Sequence, residues 1–271
     1  MSIPPLSIGV HGAAGRMGQR VVVLTLADEQ LCLSAALDSG DHPAIGRDVG
    51  EVCGAGACGV LLSSVFESRV DVMIDFSTPE GAESVVRLCE ERRIPLVLAT
   101  TGLNAKQREL ADSAAHSIPI VMAPNMSLAV NLVMQLAGQA AEILREHPAG
   151  VDVEIIERHH RFKEDAPSGT ALHFGRIVAG KMGQTDHVHG RHGRPGQRPR
   201  SEIGYHALRT GDNVGEHTIV FGMMGETIDL TVRGHSRDSY AWGALHAAKF
   251  VAGQHAGIYS MSDVLGLTSD E

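Results

Sequence analysis

The chain has 271 residues, a hydrophobic content of 43%, a charged content of 20% and a formal net charge of -9. This length is enough for two modest domains with their own cores, and the acidic balance argues against a nucleic-acid-binding surface. No apolar run approaches the roughly 20 residues that cross a bilayer, so we expect no membrane span. Met1 to Ser7 does not resemble a signal peptide. The four cysteines form no Cys-x-x-Cys pair, which predicts free thiols in a reducing cytoplasm.

The first predicted element is a short apolar strand, Leu6 to Val10, that runs into a glycine-rich turn. Gly12, Gly15 and Gly18 follow with Gly-x-x-Gly-x-x-Gly spacing, and a helix is expected after them. Strand, glycine turn and helix open a dinucleotide-binding fold, in which the pyrophosphate lies against the helix N-terminus. The spacing departs from the strict fingerprint at the second glycine. A turn with a purely conformational role therefore remains an alternative.

A second predicted strand, Leu31 to Leu37, ends in an acidic residue, Asp38. A carboxylate at this position hydrogen-bonds the adenosine ribose hydroxyls and repels a 2′-phosphate. Ser39 follows where an arginine could favour that phosphate, although Arg16 in the glycine turn could still meet one. The sequence therefore favours NADH, with NADPH tolerated.

Polar residues follow three more apolar strands, which we predict at 70–76, 94–99 and 118–122. The strand ends are Ser77-Thr78-Pro79, Thr100-Thr101-Gly102 and Ala123-Pro124-Asn125-Met126. Helices are expected between the strands, so the pattern predicts a parallel sheet with right-handed crossovers. Ligands of such sheets bind beyond the C-terminal ends of the strands. The segment 41–59 is predicted to be a surface loop near the adenosine end.

The pattern changes after residue 126, where one long helix is predicted from Ser127. A strand at 151–156 and three more at 203–208, 216–221 and 227–232 follow, and the last three have no helices between them. We therefore predict an α/β protein in two parts. A Rossmann-like parallel-sheet dinucleotide-binding domain comprises 1–126 and 241–271, and an α+β substrate-binding and oligomerisation domain with a mixed or antiparallel sheet comprises 127–240.

The segment 181–200 combines four arginines and three histidines with glycines and prolines. We interpret it as a solvated, mobile loop. His187, His189 and His192 lack carboxylate or cysteine companions, so we predict no metal site.

The stretch Glu157 to Thr170 combines titratable side chains with a helix start. His159, His160 and Lys163 can transfer protons or neutralise an anionic substrate. Ser168 precedes an apolar-periodic run, as a helix cap does, and a helix N-terminus binds carboxylates through its free N–H groups and its dipole. The alternative is an exposed basic loop.

The stretch reads Glu-x-His-His-x-x-Lys-x-Asp-Ala-Pro-Ser-Gly-Thr-Ala and resembles the signature of the 4-hydroxy-tetrahydrodipicolinate (dihydrodipicolinate) reductase family. The segments Gly-x-x-Gly-Arg-Met-Gly, Thr100-Thr101-Gly102, Ala123-Pro124-Asn125, Gly215-Glu216-His217-Thr218 and Asp263-Val264-Leu265-Gly266-Leu267 are also similar to family segments, in the family's order. The resemblance covers essentially the whole chain. It implies NAD(P)H-dependent reduction of 4-hydroxy-tetrahydrodipicolinate to tetrahydrodipicolinate in lysine and diaminopimelate biosynthesis.

The resemblance also implies roles for individual residues. The pyrophosphate residues would be Gly12, Ala13, Ala14, Gly15, Arg16 and Met17, with Asp38 on the ribose. The nicotinamide residues would be Ala99, Thr100, Thr101, Ala123, Pro124, Asn125 and Met126. His159 and Lys163 would transfer protons, and the substrate carboxylates would be bound by His160, Lys163, Ser168, Gly169 and Thr170. Hinges near 125–127 and 240 are expected to bring the two reactants together.

Three departures from the family pattern concern the cofactor site. Ser39 stands where many relatives have arginine, Ala99 replaces a common glycine, and Met126 replaces a common phenylalanine. Methionine can fill a similar apolar volume, so we expect binding to persist. The cofactor is therefore expected to be NADH, NADPH or both, with NADH slightly favoured.

Other functions and an assembly remain as expectations. A semialdehyde or homoserine dehydrogenase would share the domain order, but no nucleophilic cysteine follows Cys89. A non-catalytic redox sensor and a metal-binding protein that uses the 15 histidines are further alternatives. The resemblance implies a homotetramer with a small cyclic dicarboxylate as substrate. From the cysteines, the net charge and the lack of an apolar span, we expect a cytoplasmic protein with no nucleic-acid or membrane partner. The resemblance leaves open whether His159 or Lys163 delivers the proton.

Overall fold

A computed structural model describes residues 4–267. Residues 1–3 and 268–271 of the predicted first domain lie outside the described residues, and so does the start of the segment compared with a signal peptide. The chain divides into two compact units. The first comprises Met1–Leu128 and Arg237–Glu271, and the second comprises Ala129–Ser236. These divisions fall two residues after and four residues before the boundaries predicted at 126 and 241.

The helices and strands follow one another in this order along the described chain. The first stretch contains β1 (Leu6–His11), α1 (Gly18–Ala27), β2 (Leu31–Leu37), α2 (Val49–Val52), β3 (Leu62–Ser63), β4 (Val72–Asp75), α3 (Pro79–Arg92), β5 (Leu96–Leu98), α4 (Ala105–Ala114) and β6 (Pro119–Met122). The remainder contains α5 (Leu128–Leu144), β7 (Asp152–His159), α6 (Gly169–Met182), β8 (Asp186–His189), β9 (Glu202–Arg209), β10 (Gly215–Met223), β11 (Glu226–Gly234), α7 (Asp238–Val251), β12 (Gly257–Tyr259) and α8 (Met261–Val264).

The first unit contains a seven-stranded sheet in the order β12-β6-β5-β4-β1-β2-β3. The pairs β1/β2, β1/β4, β4/β5 and β5/β6 are parallel, which places the C-terminal ends of these strands along one edge. Strands β4 and β5 are buried throughout, as expected for a parallel sheet covered on both faces. The predicted Rossmann-like parallel sheet is therefore confirmed.

Side-chain caps fix the starts of α3 and α4 in the first unit. Thr78 Oγ1 accepts the Gly81 N–H at the start of α3, and Pro79 occupies the first helical turn. Asn104 and Gln107 form a reciprocal capping box at the start of α4. Both helices lie between strands, where helices are expected from the sequence.

The C-terminal segment of the first unit contains elements that the sequence did not reveal. Strand β12 pairs in parallel with β6 and forms the edge of the sheet, and α8 follows it with Ser260 as its cap. A three-residue strand gives too short a pattern to recognise. The segment predicted as a loop also contains the helix α2, which is capped by Asp48 and buries Val49.

The second unit contains a five-stranded sheet in the order β11-β10-β7-β9-β8. The pairs β10/β11 and β10/β7 are antiparallel, whereas β7/β9 and β8/β9 are parallel, so the sheet is mixed. Its core includes Phe174 of α6, Ile155 of β7 and Phe221 of β10, each fully buried. The predicted α+β architecture with a mixed sheet is confirmed.

Two predictions within the second unit were wrong in detail. Strand β7 extends to His159 rather than ending at Ile156, so Glu157 and His159 lie on the strand. The segment 181–200 is not simply a solvated loop, because β8 pairs with β9 and Arg198 binds Glu154 and Asp152. These ion pairs fix the segment to the sheet.

Candidate active site

The glycine turn of the first unit joins β1 directly to α1. Gly12 has a φ of 75°, a conformation that favours glycine. A Cβ added at Gly18 would overlap the carbonyl oxygen of Gly12, so the helix can start this close to the turn only with glycine. Gly15 and Arg16 are exposed at the turn, whereas Ala13 and Ala14 are buried. The turn thus brings the basic side chain of Arg16 to the C-terminal edge of the sheet, while the N–H groups of Ala13 and Gly15 donate to Leu37 and Gly12 within the protein.

Asp38 lies against this turn. Its Oδ2 accepts the N–H of Ala14 at 2.8 Å, and its Oδ1 accepts the N–H of Ser39 at 2.8 Å. Each carboxylate oxygen retains capacity for a further hydrogen bond. A cavity of about 340 Å³ opens beside Asp38, within the range of small-molecule sites. It is lined by His11, Leu37, Asp38, Ser64, Val65, Phe66, Ser84, Val85 and Leu88.

A buried carboxylate organises the ends of β1, β4 and β5. Asp75 accepts hydrogen bonds at 2.6 Å from His11 Nδ1, Ser77 Oγ and Thr100 Oγ1. Thr100 Oγ1 in turn accepts the N–H of Ser77 at 2.9 Å. The network fixes Thr100, one of the predicted nicotinamide residues. Sequence reasoning missed His11 and Asp75, although an acidic residue that closes the apolar strand at 72–75 is a recognisable signal.

The predicted nicotinamide residues lie where β5 and β6 end. The N–H of Ala99 donates to the carbonyl oxygen of Asp75 at 3.0 Å. A Cβ added at Gly243 of α7 would overlap the carbonyl oxygen of Met126, so the two backbones approach closely. The buried members of the group are Ala99, Thr100, Ala123 and Met126. Asn125 is partly exposed, and Thr101 and Pro124 are exposed.

The second unit places Glu157 and His159 on one face of β7. Alternation along a strand puts every second residue on the same face, and Val153, Ile155, Glu157 and His159 are all buried. His159 Nδ1 lies 2.5 Å from Glu157 Oε2. The buried face of the strand therefore ends in two polar residues, Glu157 and His159, whose side chains are hydrogen-bonded to each other.

Arg209 and Ser168 complete the environment of Glu157. Arg209 donates from Nη1 to Oε2 at 2.8 Å and from Nη2 to Oε1 at 2.7 Å, and the N–H of Ser168 donates to Oε1 at 3.1 Å. Burial acts to raise the pKa of Glu157, but the hydrogen bonds from His159, Arg209 and Ser168 outweigh it and lower the pKa to about 2. Glu157 is therefore an ionised, fully paired carboxylate at neutral pH.

The N-terminus of α6 is capped as the sequence predicted. Ser168 Oγ accepts the N–H of Ala171 at 3.2 Å, and it lies 3.0 Å from His217 Nε2. Gly169 and Thr170 form the first turn, and a Cβ added at Gly169 would meet no atom of the described chain within 4 Å. The first turn of a helix can bind an anionic group through its backbone N–H groups, and Gly169 adds no side chain there.

His217 contacts Ser168, the cap of α6. No role was assigned to His217 from the sequence. Burial, together with the nearby His159, lowers the pKa of His217 to about 4, so its ring is neutral at pH 7. Its ring is 5.2 Å from that of His159 in an edge-to-face arrangement. The Gly-Glu-His-Thr segment that contains it was noted in the sequence, and this segment was the available signal.

Lys163 and His160 lie in the segment between β7 and α6. Lys163 Nζ forms an ion pair with Asp165 Oδ1 at 2.7 Å, and the N–H of Lys163 donates to the carbonyl oxygen of His160 at 3.1 Å. His160 Nδ1 is buried without a hydrogen-bond partner among the described residues. A buried polar atom without a partner is costly and indicates a place for a ligand or water.

Other features bear on the remaining alternatives. Residues 4–267 contain no group of three or more His, Cys, Asp or Glu side chains arranged to hold a metal ion. The four cysteines are free thiols. In the same part of the chain, every helix is too short or too polar to cross a membrane.

Two family models match the chain. The dihydrodipicolinate reductase N-terminus model matches residues 6–126, and the dihydrodipicolinate reductase C-terminus model matches residues 129–265. The chain is 52% identical to a 4-hydroxy-tetrahydrodipicolinate reductase of Rhodopirellula baltica, with 99% of each chain covered. It is 45% identical to an enzyme of the same name from Nitrosomonas eutropha, with 97% of this chain and 98% of the relative covered.

A solved structure has the same fold. The dipicolinate-bound dihydrodipicolinate reductase from Paenisporosarcina sp. TG-14 aligns with a TM-score of 0.74 at 24% identity, covering 94% of this chain and 97% of the other. The family models and the full-length relatives, which carry more weight than this fold similarity, agree with the resemblance found in the sequence. The chain therefore belongs to the dihydrodipicolinate reductase family of pyridine-nucleotide-dependent oxidoreductases, which act in lysine and diaminopimelate biosynthesis.

Proposed function

We propose that this chain reduces 4-hydroxy-tetrahydrodipicolinate to tetrahydrodipicolinate, with His159 and Lys163 as its proton-transfer residues. The observation that carries the proposal is the hydrogen-bonded connection in the second unit from His159 through Glu157 to the capped N-terminus of α6. It joins a titratable side chain to an anion-binding helix end. The substrate class, a cyclic dicarboxylate, needs both.

The carboxylates of the substrate are assigned to the start of α6 and the segment before it. Ser168, Gly169 and Thr170 supply the first backbone and hydroxyl groups of the helix, and the space around the Cβ position of Gly169 is open. The Lys163 ammonium adds positive charge, and His160 Nδ1 is a buried polar atom that a ligand could satisfy. A carboxylate bound at a helix N-terminus gains roughly 0.3–1 kcal/mol from the dipole, and more when partly buried.

The proton step is assigned to His159 or Lys163. Loss of the 4-hydroxyl group as water gives a conjugated imine, and a bound reduced nicotinamide supplies the hydride that reduces it. Hydride addition leaves an enamine-like carbon that must take up a proton. Lys163 carries three N–H donors, and the ring of His159 keeps Nε2 for the substrate because Nδ1 faces Glu157. General acid catalysis of this kind contributes about 10²–10⁴-fold.

The cofactor site is assigned to the first unit, and its residues fit a dinucleotide. The turn at 12–17, where Gly15 and Arg16 are exposed, is assigned to the pyrophosphate. Asp38 has free acceptor capacity for the ribose hydroxyls beside the 340 Å³ cavity. The nicotinamide half is assigned to 99–101 and 123–126. NADH is the favoured cofactor, because Asp38 repels a 2′-phosphate and Ser39 offers it no positive charge.

The proposed assembly is a cytoplasmic homotetramer in which the second units pair through their sheets. The support is the second face of β7 and β9, opposite to Glu157 and His159. Ile156 and Leu208 lie on that face and are 39% and 40% exposed. Exposed apolar side chains on an open sheet face are typical of interfaces between subunits. Light scattering of the purified chain measures the state directly.

A turnover assay tests the proposed reaction. Freshly generated 4-hydroxy-tetrahydrodipicolinate is supplied with NADH or NADPH, and the absorbance of the reduced nicotinamide is followed. We expect substrate-dependent oxidation of the cofactor and competitive inhibition by dipicolinate, a planar dicarboxylate. Aspartate semialdehyde and homoserine serve as controls. Turnover of either control in place of the cyclic substrate would assign the chain to the dehydrogenase alternative.

A further inference from the structure

Glu157 uses all of its hydrogen-bonding capacity on protein groups. Oε2 accepts from His159 Nδ1 at 2.5 Å and Arg209 Nη1 at 2.8 Å, and Oε1 accepts from Arg209 Nη2 at 2.7 Å and the N–H of Ser168 at 3.1 Å. A carboxylate offers about four acceptor positions, and four are occupied. The side chain is fully buried. Glu157 therefore has no capacity left to bind substrate and must act through its neighbours.

Arg209 stabilises the buried Glu157 carboxylate in its ionised form. An ionised carboxylate inside a protein is stable only when it is paired and hydrogen-bonded, and a two-point contact with arginine is the strongest such pairing. Arg209 is itself fixed, because Nη2 donates to the carbonyl oxygen of Asp165 at 2.6 Å and Nη1 to that of Leu208 at 2.7 Å. It thus connects strand β9 to the segment that precedes α6.

We infer that Glu157, held by Arg209, is the positioning residue that fixes the two halves of the site, His159 and the N-terminus of α6, relative to each other. The inference rests on the proposed function, since it is the proposed reaction that requires a proton-transfer group and a carboxylate site in register. His159 and Ser168 come from different elements, a strand and a helix cap. The Glu157 carboxylate is hydrogen-bonded to both.

The first consequence concerns the proton on His159. Glu157 remains ionised at neutral pH, so it can only accept hydrogen bonds. His159 Nδ1 must then carry a hydrogen in both the neutral and the protonated ring. Nε2 is therefore the nitrogen that loses a proton to the substrate from the imidazolium ring, or gains one in the neutral ring. A carboxylate that holds a histidine in one tautomer is a recurrent device of acid–base sites.

The second consequence concerns helix α6. Because Glu157 Oε1 accepts the N–H of Ser168, the carboxylate also fixes the residue that caps the helix. Ser168 Oγ lies within hydrogen-bond distance of His217. Glu157 therefore fixes the backbone of Ser168, and His217 fixes its side chain. Arg209 neutralises the charge of Glu157, which would otherwise repel a dicarboxylate bound at the helix N-terminus.

The wild-type protein provides the first test, and it needs no turnover. In protein with ¹⁵N-labelled histidine, the ring nitrogens of His159 are assigned by comparison with His159→Gln. Over the pH range in which the His159 ring is neutral, we expect the hydrogen on Nδ1 and none on Nε2. A neutral His159 with the proton on Nε2 would overturn the inference, whatever the activity of the enzyme.

The variant Glu157→Gln provides the second test. The new amide NH₂ group of glutamine is a donor, and the groups around it in the wild type are donors too. Of these groups, only the His159 imidazole can become an acceptor, which it does when its hydrogen moves from Nδ1 to Nε2. We expect this change of tautomer and a fall in kcat of about 10²-fold, with the KM for the reduced cofactor unchanged. The variant Arg209→Lys keeps the positive charge without the two-point contact and should lie between the wild type and Glu157→Gln in kcat.

Glu154→Gln is the matched control. Glu154 lies on the same strand but on the opposite face, and it is also held by ionic partners, Arg191, Arg198 and His206. It should leave the His159 tautomer and kcat unchanged. Equal losses of kcat in the two variants, or an unchanged tautomer in Glu157→Gln, would overturn the inference. A wild-type enzyme that does not turn over the substrate would refute the proposed function instead, and the tautomer measurement would still stand.

Discussion

The N–H of Ser168 donates to Glu157 Oε1 at 3.1 Å, although the two residues are 11 positions apart. The segment between them carries His160 and Lys163, and this hydrogen bond joins its two ends. Because the two ends of the segment are held by a buried carboxylate, the backbone that carries His160 and Lys163 is restrained at both ends. This arrangement gives the proposed catalytic residues a defined place without burying them completely.

Replacing Lys163 by alanine removes an ammonium group that we assign to proton transfer and carboxylate binding. Lys163→Ala should lower kcat by at least about 10²-fold, while the affinity for the reduced cofactor stays at the wild-type value. Lys181→Ala is the control, because Lys181 also forms an ion pair, with Glu142, but on the exposed surface. A normal kcat in Lys163→Ala, measured in the same turnover assay, would refute the assignment.

Replacing Gly169 by alanine tests the carboxylate site at the start of α6. The added methyl group meets no atom of the described protein within 4 Å, so the fold should tolerate it. It adds a methyl group to the first turn of the helix, where the carboxylate site is proposed, and we expect the KM for the dicarboxylate to rise about tenfold, equivalent to about 1.4 kcal/mol.

Gly180→Ala is the matched control for that change. Gly180 lies in the same helix, and a Cβ there also meets open space. Alanine in a helix interior stabilises by roughly 0.5–1 kcal/mol relative to glycine, so thermal stability should rise while the KM stays constant. If both variants leave the KM for the dicarboxylate unchanged, the substrate carboxylates lie elsewhere.

Replacing Ser39 by arginine tests the basis of cofactor preference. An arginine after Asp38 can pair with a 2′-phosphate, so the ratio of kcat/KM for NADPH to that for NADH should rise by about tenfold or more. The hydrogen bond from the Ser39 N–H to Asp38 uses the backbone and should survive. Ser39→Gln adds comparable length without charge and should leave the ratio unchanged. An unchanged ratio in Ser39→Arg would show that selectivity is set by other residues.

The parts of the structure that follow from local patterns could be predicted from the sequence. The glycine turn, strand β2 and the cap at Ser168 depend on residues that are adjacent in the chain. The extension of β7 to His159 was missed because two polar residues continue its buried face, and apolar alternation gives no sign of them. Arg209 and His217 lie 52 and 49 positions from their partners Glu157 and Ser168, so only the folded sheet reveals their roles.

His217 provides a prediction about acid stability. Its pKa is lowered from 6.5 to about 4, first by burial and then by the charges of His159 and Lys163, which outweigh the opposite effect of Glu157. Between these two values the unfolded chain binds a proton at His217 and the folded chain does not. The contribution to stability is therefore fully present above pH 6.5 and is lost as the pH falls toward 4. Its largest value is about 3 kcal/mol, since one pKa unit corresponds to about 1.4 kcal/mol.

The variant His217→Gln isolates this contribution. Glutamine can still hydrogen-bond Ser168 Oγ but does not titrate, so the fall in unfolding free energy between pH 6.5 and 4 should become shallower than in the wild type. Denaturant unfolding at fixed protein concentration, repeated across this range, measures the difference. His116→Gln, at an exposed histidine, is the control and should keep the wild-type slope. Parallel stability curves for His217→Gln and the wild type would show that His217 is not the buried neutral group described above.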